Sequence, residues 1–229
     1  MRLVLAVFAS LIPALVHADI LAQFNFNTLD NDASTGTLSA SAGGGTFSTV
    51  GGATTFFGFG TGSSDPELGA NDSALGLGGF PAQGTASGTV GFQVSRSTVG
   101  FGNLVLKLDQ KNQPSSNKFY EVQVRTALAG PFLPLDTYGI AAADVWENAK
   151  TFSLAVPAAA NNPDFAVRVV AVFEPGGSQY VASEAGYNGQ ISTLLDMVTL
   201  EGAIVPEPST VTLIAMAVAA TLCRRRRQT

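Results

Sequence analysis

The chain has 229 residues, a length that allows one domain of ordinary size once terminal signals are set aside. Its only histidine, His17, and its only cysteine, Cys223, lie near the two ends, so the body between them excludes disulfides, histidine or cysteine metal sites and histidine-activated nucleophiles. Residues 19–204 carry seven basic and sixteen acidic side chains, and the resulting net charge of −9 argues against nucleic-acid binding.

The first eighteen residues have the pattern of a secretory signal peptide. Met1 and Arg2 precede an apolar stretch that ends at Val16, and Val16-His17-Ala18 fits the small-x-small pattern that signal peptidase cuts. We therefore expect signal peptidase to cleave after Ala18, so that the mature chain begins near Asp19. An uncleaved N-terminal anchor is the alternative, although the apolar stretch is short for a membrane span.

The first strand pattern follows at once. Ile20, Ala22, Phe24 and Phe26 alternate with polar residues, as a half-buried strand requires. The acidic turn after this strand offers oxygen ligands of the kind that calcium prefers, and an acid on the last strand could complete a site if the chain ends are adjacent. The full calcium-loop pattern is absent, and such residues also form plain turns. The expectation is either no cofactor or one structural calcium ion, with its ligands at Asp30, Asp32 and Asp196.

Residues 31–100 form a segment rich in glycine, serine and threonine. The segment holds 17 of the 25 glycines and only five charged residues: Asp32, Asp65, Glu67, Asp72 and Arg96. Disordered segments usually combine low hydrophobicity with high net charge, whereas phenylalanines recur here. We therefore predict short strands separated by long loops.

Strand patterns continue through the second half of the chain. Period-two alternation is clear around Leu106, Val122 and Leu154, and the best helical candidate, 140–149, is short. The run 165–173 is apolar on both faces apart from Arg168, which predicts a strand covered on both sides. With a final strand over 194–200, the sequence predicts an all-β fold for residues 19–204, an antiparallel β-sandwich of jelly-roll type.

Aromatic residues are the best candidates for contact with a glycan, because their faces stack on sugar rings. Trp146, Tyr138 and Tyr187 lie in or beside predicted loops, although a buried role for Trp146 is the alternative. The stretch from Trp146 to Arg168 weakly resembles lectin-like or carbohydrate-binding jelly-rolls. No pattern in the sequence pairs any of the glutamates that a glycoside hydrolase would need: Glu121, Glu147, Glu174 and Glu184.

The C-terminus contains three elements in a fixed order. Val205-Pro206-Glu207-Pro208-Ser209 is followed by an uncharged apolar segment and then by Arg224, Arg225, Arg226 and Arg227. A helix over about 210–223 would measure roughly 20 Å, short of the ~30 Å hydrocarbon core but feasible as a span with bilayer thinning. The arginine cluster would stay cytoplasmic and leave the acidic domain outside.

This order of elements in residues 205–229 resembles the PEP-CTERM sorting domain of Gram-negative bacteria. The resemblance implies that Pro206, Glu207 and Pro208 are recognised by a membrane-embedded exosortase, which cuts near the motif. It also implies an association with exopolysaccharide and display at the surface. A simple single-span anchor that contains Pro-Glu-Pro is the alternative.

The sequence therefore predicts a non-enzymatic, exported surface or extracellular-matrix protein. It would pass through the inner membrane, be processed at its tail and associate with exopolysaccharide. A secreted glycan-active enzyme delivered by the same route is one alternative, and a purely structural surface protein is another.

Overall fold

The computed structural model describes residues 18–184 and 186–205, which form two packed antiparallel β-sheets. Within these residues, helical structure is limited to two 3-10 turns, at Gly69–Asn71 and Pro157–Ala159. The predicted all-β sandwich is confirmed. Its strands, in chain order, are β1 (Ala18–Phe24), β2 (Ala42–Gly43), β3 (Thr46–Val50), β4 (Thr54–Phe59), β5 (Ser73–Gly78), β6 (Gly91–Ser95), β7 (Phe101–Asn112), β8 (Phe119–Arg125), β9 (Leu133–Gly139), β10 (Glu147–Ser153), β11 (Ala166–Ala171) and β12 (Thr193–Ile204).

The seven-stranded sheet is built around β12. Strand order is β10-β7-β12-β1-β2, and β5 also pairs with β12 and carries β4 on its outer side. Strand β7 pairs with β12 on one side. On the other side, β5 pairs with Thr193–Leu195 and β1 pairs with Val198–Ala203. On this side, β12 therefore changes its partner from β5 to β1 at Asp196 and Met197, which pair with neither of those two strands.

The five-stranded sheet has the order β3-β6-β11-β8-β9. Strand β11 lies at its centre between β6 and β8, as the two-sided apolar pattern predicted. Val167 and Val169 face the core, whereas Arg168 lies on the outer face between Gln93 and Gln123 of the neighbouring strands. Antiparallel neighbours that are distant in sequence are the mark of a jelly-roll sandwich.

Aromatic side chains from both sheets fill the core. Phe47 stacks on Phe92 with ring centroids 5.2 Å apart, and Phe24 packs against Phe47 at 5.4 Å. Phe47 and Phe92 come from the glycine-rich segment, which therefore contributes side chains to the core. Complete burial of a phenylalanine stabilises the fold by about 1.5–3 kcal/mol.

One local prediction is wrong, and the weak helical candidate forms no helix. Residues 140–149 form a loop and the first residues of β10, and Asp144 and Ala149 adopt left-handed backbone angles that a right-handed helix does not contain. In β1, the register shifts between Ile20 and Ala22, so Ile20 is 44% exposed while Leu21 is buried. A bulge of this kind breaks strict alternation.

The terminal signals lie largely outside the described residues. Ala18 is the first described residue, and it pairs with Ala203 of β12. The sorting residues 206–208, the predicted span at 210–223 and the arginines 224–227 are not described. Among the described residues, no helix is long and apolar enough to cross a membrane.

Candidate functional site

Three buried aspartates meet where β12 changes partner. Asp72 immediately precedes β5, Asp65 lies in the loop between β4 and β5, and Asp196 lies in β12. One carboxylate oxygen from each lies within 4.8 Å of the others. We call Asp65, Asp72 and Asp196 the carboxylate cluster.

A β-bulge shapes the β12 side of this cluster. The pairing of β12 with β7 shifts register between Asp196 and Thr199, and Met197 has a left-handed φ of 47°. The Met197 amide donates to Asp196 Oδ1 at 2.7 Å, and the Ser63 hydroxyl donates to Asp196 Oδ2 at 2.8 Å. Bulges of this type re-aim side chains next to functional sites.

Hydrogen bonds hold the other two carboxylates unequally. Asp65 Oδ2 accepts a bond from the Asn27 amide, and Asp65 Oδ1 accepts one from the backbone of Glu67, both at 2.9 Å. Asp72 is 3% exposed, and its buried Oδ1 has no hydrogen-bond partner among the described residues.

Burial and like charge disfavour the ionised forms of two of these acids. The pKa of Asp196 is raised to about 8, mainly by desolvation and also by the charges of Asp65 and Asp72, while the hydrogen bonds that Asp196 accepts from Ser63 and Met197 oppose the shift. Desolvation, with the charges of Asp65 and Glu67, also raises the pKa of Asp72 to about 6, although Lys111 opposes that shift.

The structure does not group the three acids that the sequence analysis proposed for calcium. Asp196 belongs to the carboxylate cluster, but Asp30 and Asp32 are exposed, and their oxygens accept bonds from Thr35 and Ser34 within the same turn. These bonds lower the pKa of both turn aspartates. The candidate metal ligands are therefore Asp65 and Asp72 with Asp196.

Trp146 is partly exposed and lies against the loop that carries Asp65. Its indole nitrogen donates to the Thr61 carbonyl at 3.0 Å, and Lys111 Nζ lies 4.8 Å from its ring centroid. The Asn148 amide donates to the Gly62 carbonyl of the same loop. Of the three aromatic residues predicted to contact a glycan, Trp146 has a partly exposed side chain. Lys111 lies over one face of its ring.

The two predicted tyrosines are engaged in packing. The Tyr138 hydroxyl donates to Gln110 at 2.7 Å and its ring stacks on Tyr120, while the Tyr187 hydroxyl donates to the Pro81 carbonyl and its ring stacks on Tyr180. Burial raises the pKa of Tyr138 well above its ordinary value. The geometry gives both rings structural partners, and their contact with a glycan stays a prediction.

An open cleft of about 420 Å³ lies at one end of the outer face of the five-stranded sheet. We call it the polar cleft. Its lining includes Glu121, Gln123, Thr137, Phe173 and Glu174.

A hydrogen-bonded row crosses the sheet beside this cleft. The Gln123 amide nitrogen donates to the Glu121 carboxylate, and the Gln123 oxygen accepts from Arg168 Nε at 2.5 Å. The Arg168 guanidinium stacks on Phe132 at 4.1 Å from the ring centroid, and burial lowers its pKa. The row thus fixes the side chains of Glu121, Gln123 and Arg168 to one another on the outer face of the sheet.

The four glutamates considered above for glycoside hydrolysis lie in different parts of the structure. Glu121 and Glu174 line the same polar cleft, whereas Glu147 is paired with Lys150 and Glu184 is exposed elsewhere. The sequence could not show that Glu121 and Glu174 line one cleft, because they lie 53 positions apart. Their segments come together only because β8 lies beside β11 in the sheet.

Comparison with protein families gives a match to the PEP-CTERM protein-sorting motif over residues 205–227. The chain carries this sorting motif. The motif implies an exported protein that is processed at the membrane by an exosortase and displayed on the cell surface. Comparison with curated proteins gave no match.

Solved structures with a similar fold include carbohydrate-binding modules and an adhesin domain. The CBM22-1 and GH10 modules of Clostridium thermocellum xylanase 10B are 8% identical with a TM-score of 0.47, over 80% of this chain and 28% of that one. A CBM22 xylan-binding domain is 11% identical with a TM-score of 0.45, over 84% and 97%. The K1 adhesin domain of Porphyromonas gingivalis Lys-gingipain is 11% identical with a TM-score of 0.40, over 83% and 99%.

Proposed function

We propose that this chain is a non-enzymatic surface or matrix protein of a Gram-negative bacterium, whose β-sandwich binds exopolysaccharide in the polar cleft. The observation that carries the proposal is the cleft itself, an open depression that hydrogen-bonding side chains line on a rigid sheet. The PEP-CTERM motif supports it independently, because it delivers the domain to the surface where such polymers lie.

The lining chemistry suits a neutral or weakly charged glycan. Thr137 and Glu174 are exposed and can exchange hydrogen bonds with sugar hydroxyls, while Gln123 is fixed by Glu121 and Arg168. A single cleft of this size gives modest affinity, and many displayed copies would strengthen attachment through multivalency.

A glycan-active enzyme is the second candidate, because Glu121 and Glu174 line the same cleft. Glycoside hydrolases use two carboxyl groups on either side of the scissile bond. Binding without turnover and hydrolysis therefore predict different outcomes with the same polymer.

The test uses the full-length protein in mild detergent and exopolysaccharide purified from the host. We expect the wild type to retard in affinity electrophoresis without releasing reducing sugar. Thr137→Ala and Glu174→Ala should each weaken binding about fivefold, since the loss of one hydrogen bond is worth about 1 kcal/mol. The matched control Glu184→Gln, away from the cleft, should bind as the wild type does.

Other outcomes would assign the function elsewhere. Release of sugar that Glu121→Gln or Glu174→Gln abolishes would establish the enzyme. Binding that is lost in Trp146→Ala but kept in the cleft variants would move the glycan contact to the tryptophan. A wild type that neither binds nor cleaves would contradict both functions and favour a structural role.

A further inference from the structure

We infer that the carboxylate cluster is a calcium site that fixes the loop between β4 and β5 to the central strand β12. Asp65 and Asp72 come from that loop, with Asp72 as its last residue before β5, and Asp196 comes from β12. The inference concerns a site distinct from the polar cleft and does not depend on glycan binding.

The first argument is the density of buried carboxylates. Asp65, Asp72 and Asp196 are 8%, 3% and 0% exposed, with an oxygen of each within 4.8 Å of the others. Burying a carboxylate is costly unless a cation or hydrogen bonds compensate for the loss of water. The two ion pairs among the described residues join Lys107 with Glu201 and Lys150 with Glu147, so neither reaches the cluster.

The second argument is an oxygen without a partner. Asp72 Oδ1 is buried and accepts no hydrogen bond among the described residues. It faces Gly60, where an added Cβ would overlap Asp72 Oδ1 and would lie 2.8 Å from Asp196 Oδ2. Any other residue at position 60 would place its Cβ against the carboxylates of the cluster. A buried acceptor of this kind is satisfied when it coordinates a cation.

The ligand chemistry selects the ion. All three donors are carboxylate oxygens, and the body 19–204 has no histidine or cysteine to favour zinc or another softer metal. Mg²⁺ dehydrates reluctantly and is seldom held by an all-protein cage, whereas Ca²⁺ accepts six to eight oxygens in flexible geometry. A cluster of three carboxylates therefore suits calcium.

The structure also provides a reporter for the site. The loop that contributes Asp65 contacts Trp146 through the Thr61 carbonyl, and Trp146 is the only tryptophan of the chain. A change in the position of this loop should therefore alter tryptophan emission. This readout does not require that the glycan ligand be known.

The experiment uses full-length protein in detergent after removal of divalent cations with EGTA. We expect calcium titration to show one site per chain by calorimetry, with a parallel change in Trp146 emission, and Mg²⁺ to bind at least tenfold more weakly. Asp65→Asn, Asp72→Asn and Asp196→Asn should each weaken calcium binding at least about tenfold.

Asp30→Asn is the matched control, because Asp30 is an exposed acid of the first acidic turn and lies outside the cluster. It should leave calcium binding unchanged. The inference is overturned if the wild type binds no calcium, if all three cluster variants keep wild-type affinity, or if Asp30→Asn weakens binding as much as they do. If one cluster variant fails to fold, the wild-type titration, the other two cluster variants and Asp30→Asn still decide the matter.

Discussion

Replacement of Asp72 by asparagine should change stability in opposite directions with and without calcium. The substitution keeps the size of the side chain but removes a buried negative charge next to Asp65 and Asp196. In the absence of calcium, the buried Asp72 carboxylate has an oxygen without a donor, which costs about 1–3 kcal/mol, and a neutral asparagine can turn its NH2 group toward the carboxylates of Asp65 and Asp196 in place of that oxygen. The calcium-free variant should therefore be more stable than the calcium-free wild type by about 1 kcal/mol or more, or roughly 2–4 °C in Tm for a domain of this size.

Calcium should reverse this order. A ligand present at 100 times its dissociation constant stabilises the folded state by about 2.7 kcal/mol, which corresponds to roughly 5–10 °C here. The wild type should gain this stabilisation, whereas Asp72→Asn should gain little because a ligand is missing. The two proteins should thus exchange rank between EGTA and excess calcium.

Differential scanning fluorimetry of the full-length protein, with Trp146 as the probe, measures both comparisons. Asp164→Asn is the control, because Asp164 is exposed in the turn before β11 and should show wild-type Tm in both buffers. The reasoning fails if Asp72→Asn is less stable than the wild type in EGTA, or if calcium raises its Tm as much as that of the wild type.

Three further predictions concern the fold and the tail. Gly91→Ala should destabilise the protein in urea unfolding by about 1–3 kcal/mol or more, because the new Cβ would overlap the Val169 carbonyl, while Gly186→Ala, with open space around it, should be neutral. Phe92→Ala should cost about 3–5 kcal/mol in the same assay, since the ring is 1% exposed and its loss leaves a cavity in the core; a cost below about 1 kcal/mol would contradict the packing. Glu207→Ala should block tail processing, seen as retained C-terminal mass in mass spectrometry, while leaving cleavage after Ala18 unchanged; normal processing would make the tail a simple anchor.

Alternation and apolar runs in the sequence located about half of the twelve strands, because these strands have at least one face in the core. Leu104, Leu106 and Leu108 are all at most 2% exposed, and the two-sided run before Phe173 is indeed the central strand β11. The pattern failed where the backbone departs from regular pairing. Ile20 was assigned to the buried face, and the bulge that follows it places Leu21 there instead.

The sequence analysis identified one of the three residues of the candidate metal site. Asp196 was identified, but its predicted partners were chosen for their position after the first strand, and a turn pattern says nothing about which loop folds back onto β12. A better signal was present: Asp65, Glu67 and Asp72 are three of only five charged residues between Asn31 and Gly100. Three acids within eight residues of a segment that is poor in charge are a better indication of a shared site than acids in an exposed turn.

The polar cleft could not be predicted, because Glu121 and Glu174 come to the same cleft only through the order of strands in the five-stranded sheet. The carboxylate cluster has a more specific cause. The register shift at Asp196 that breaks the period-two pattern is also what lets one strand exchange β5 for β1 and bring loop acids against its bulge. Sequence rules such as period-two alternation fail most often at functional sites, and β-bulges recur at such sites. The departure from alternation at Asp196 and Met197 thus falls at the point of β12 where the acids of the β4–β5 loop meet the strand, as the calcium proposal requires.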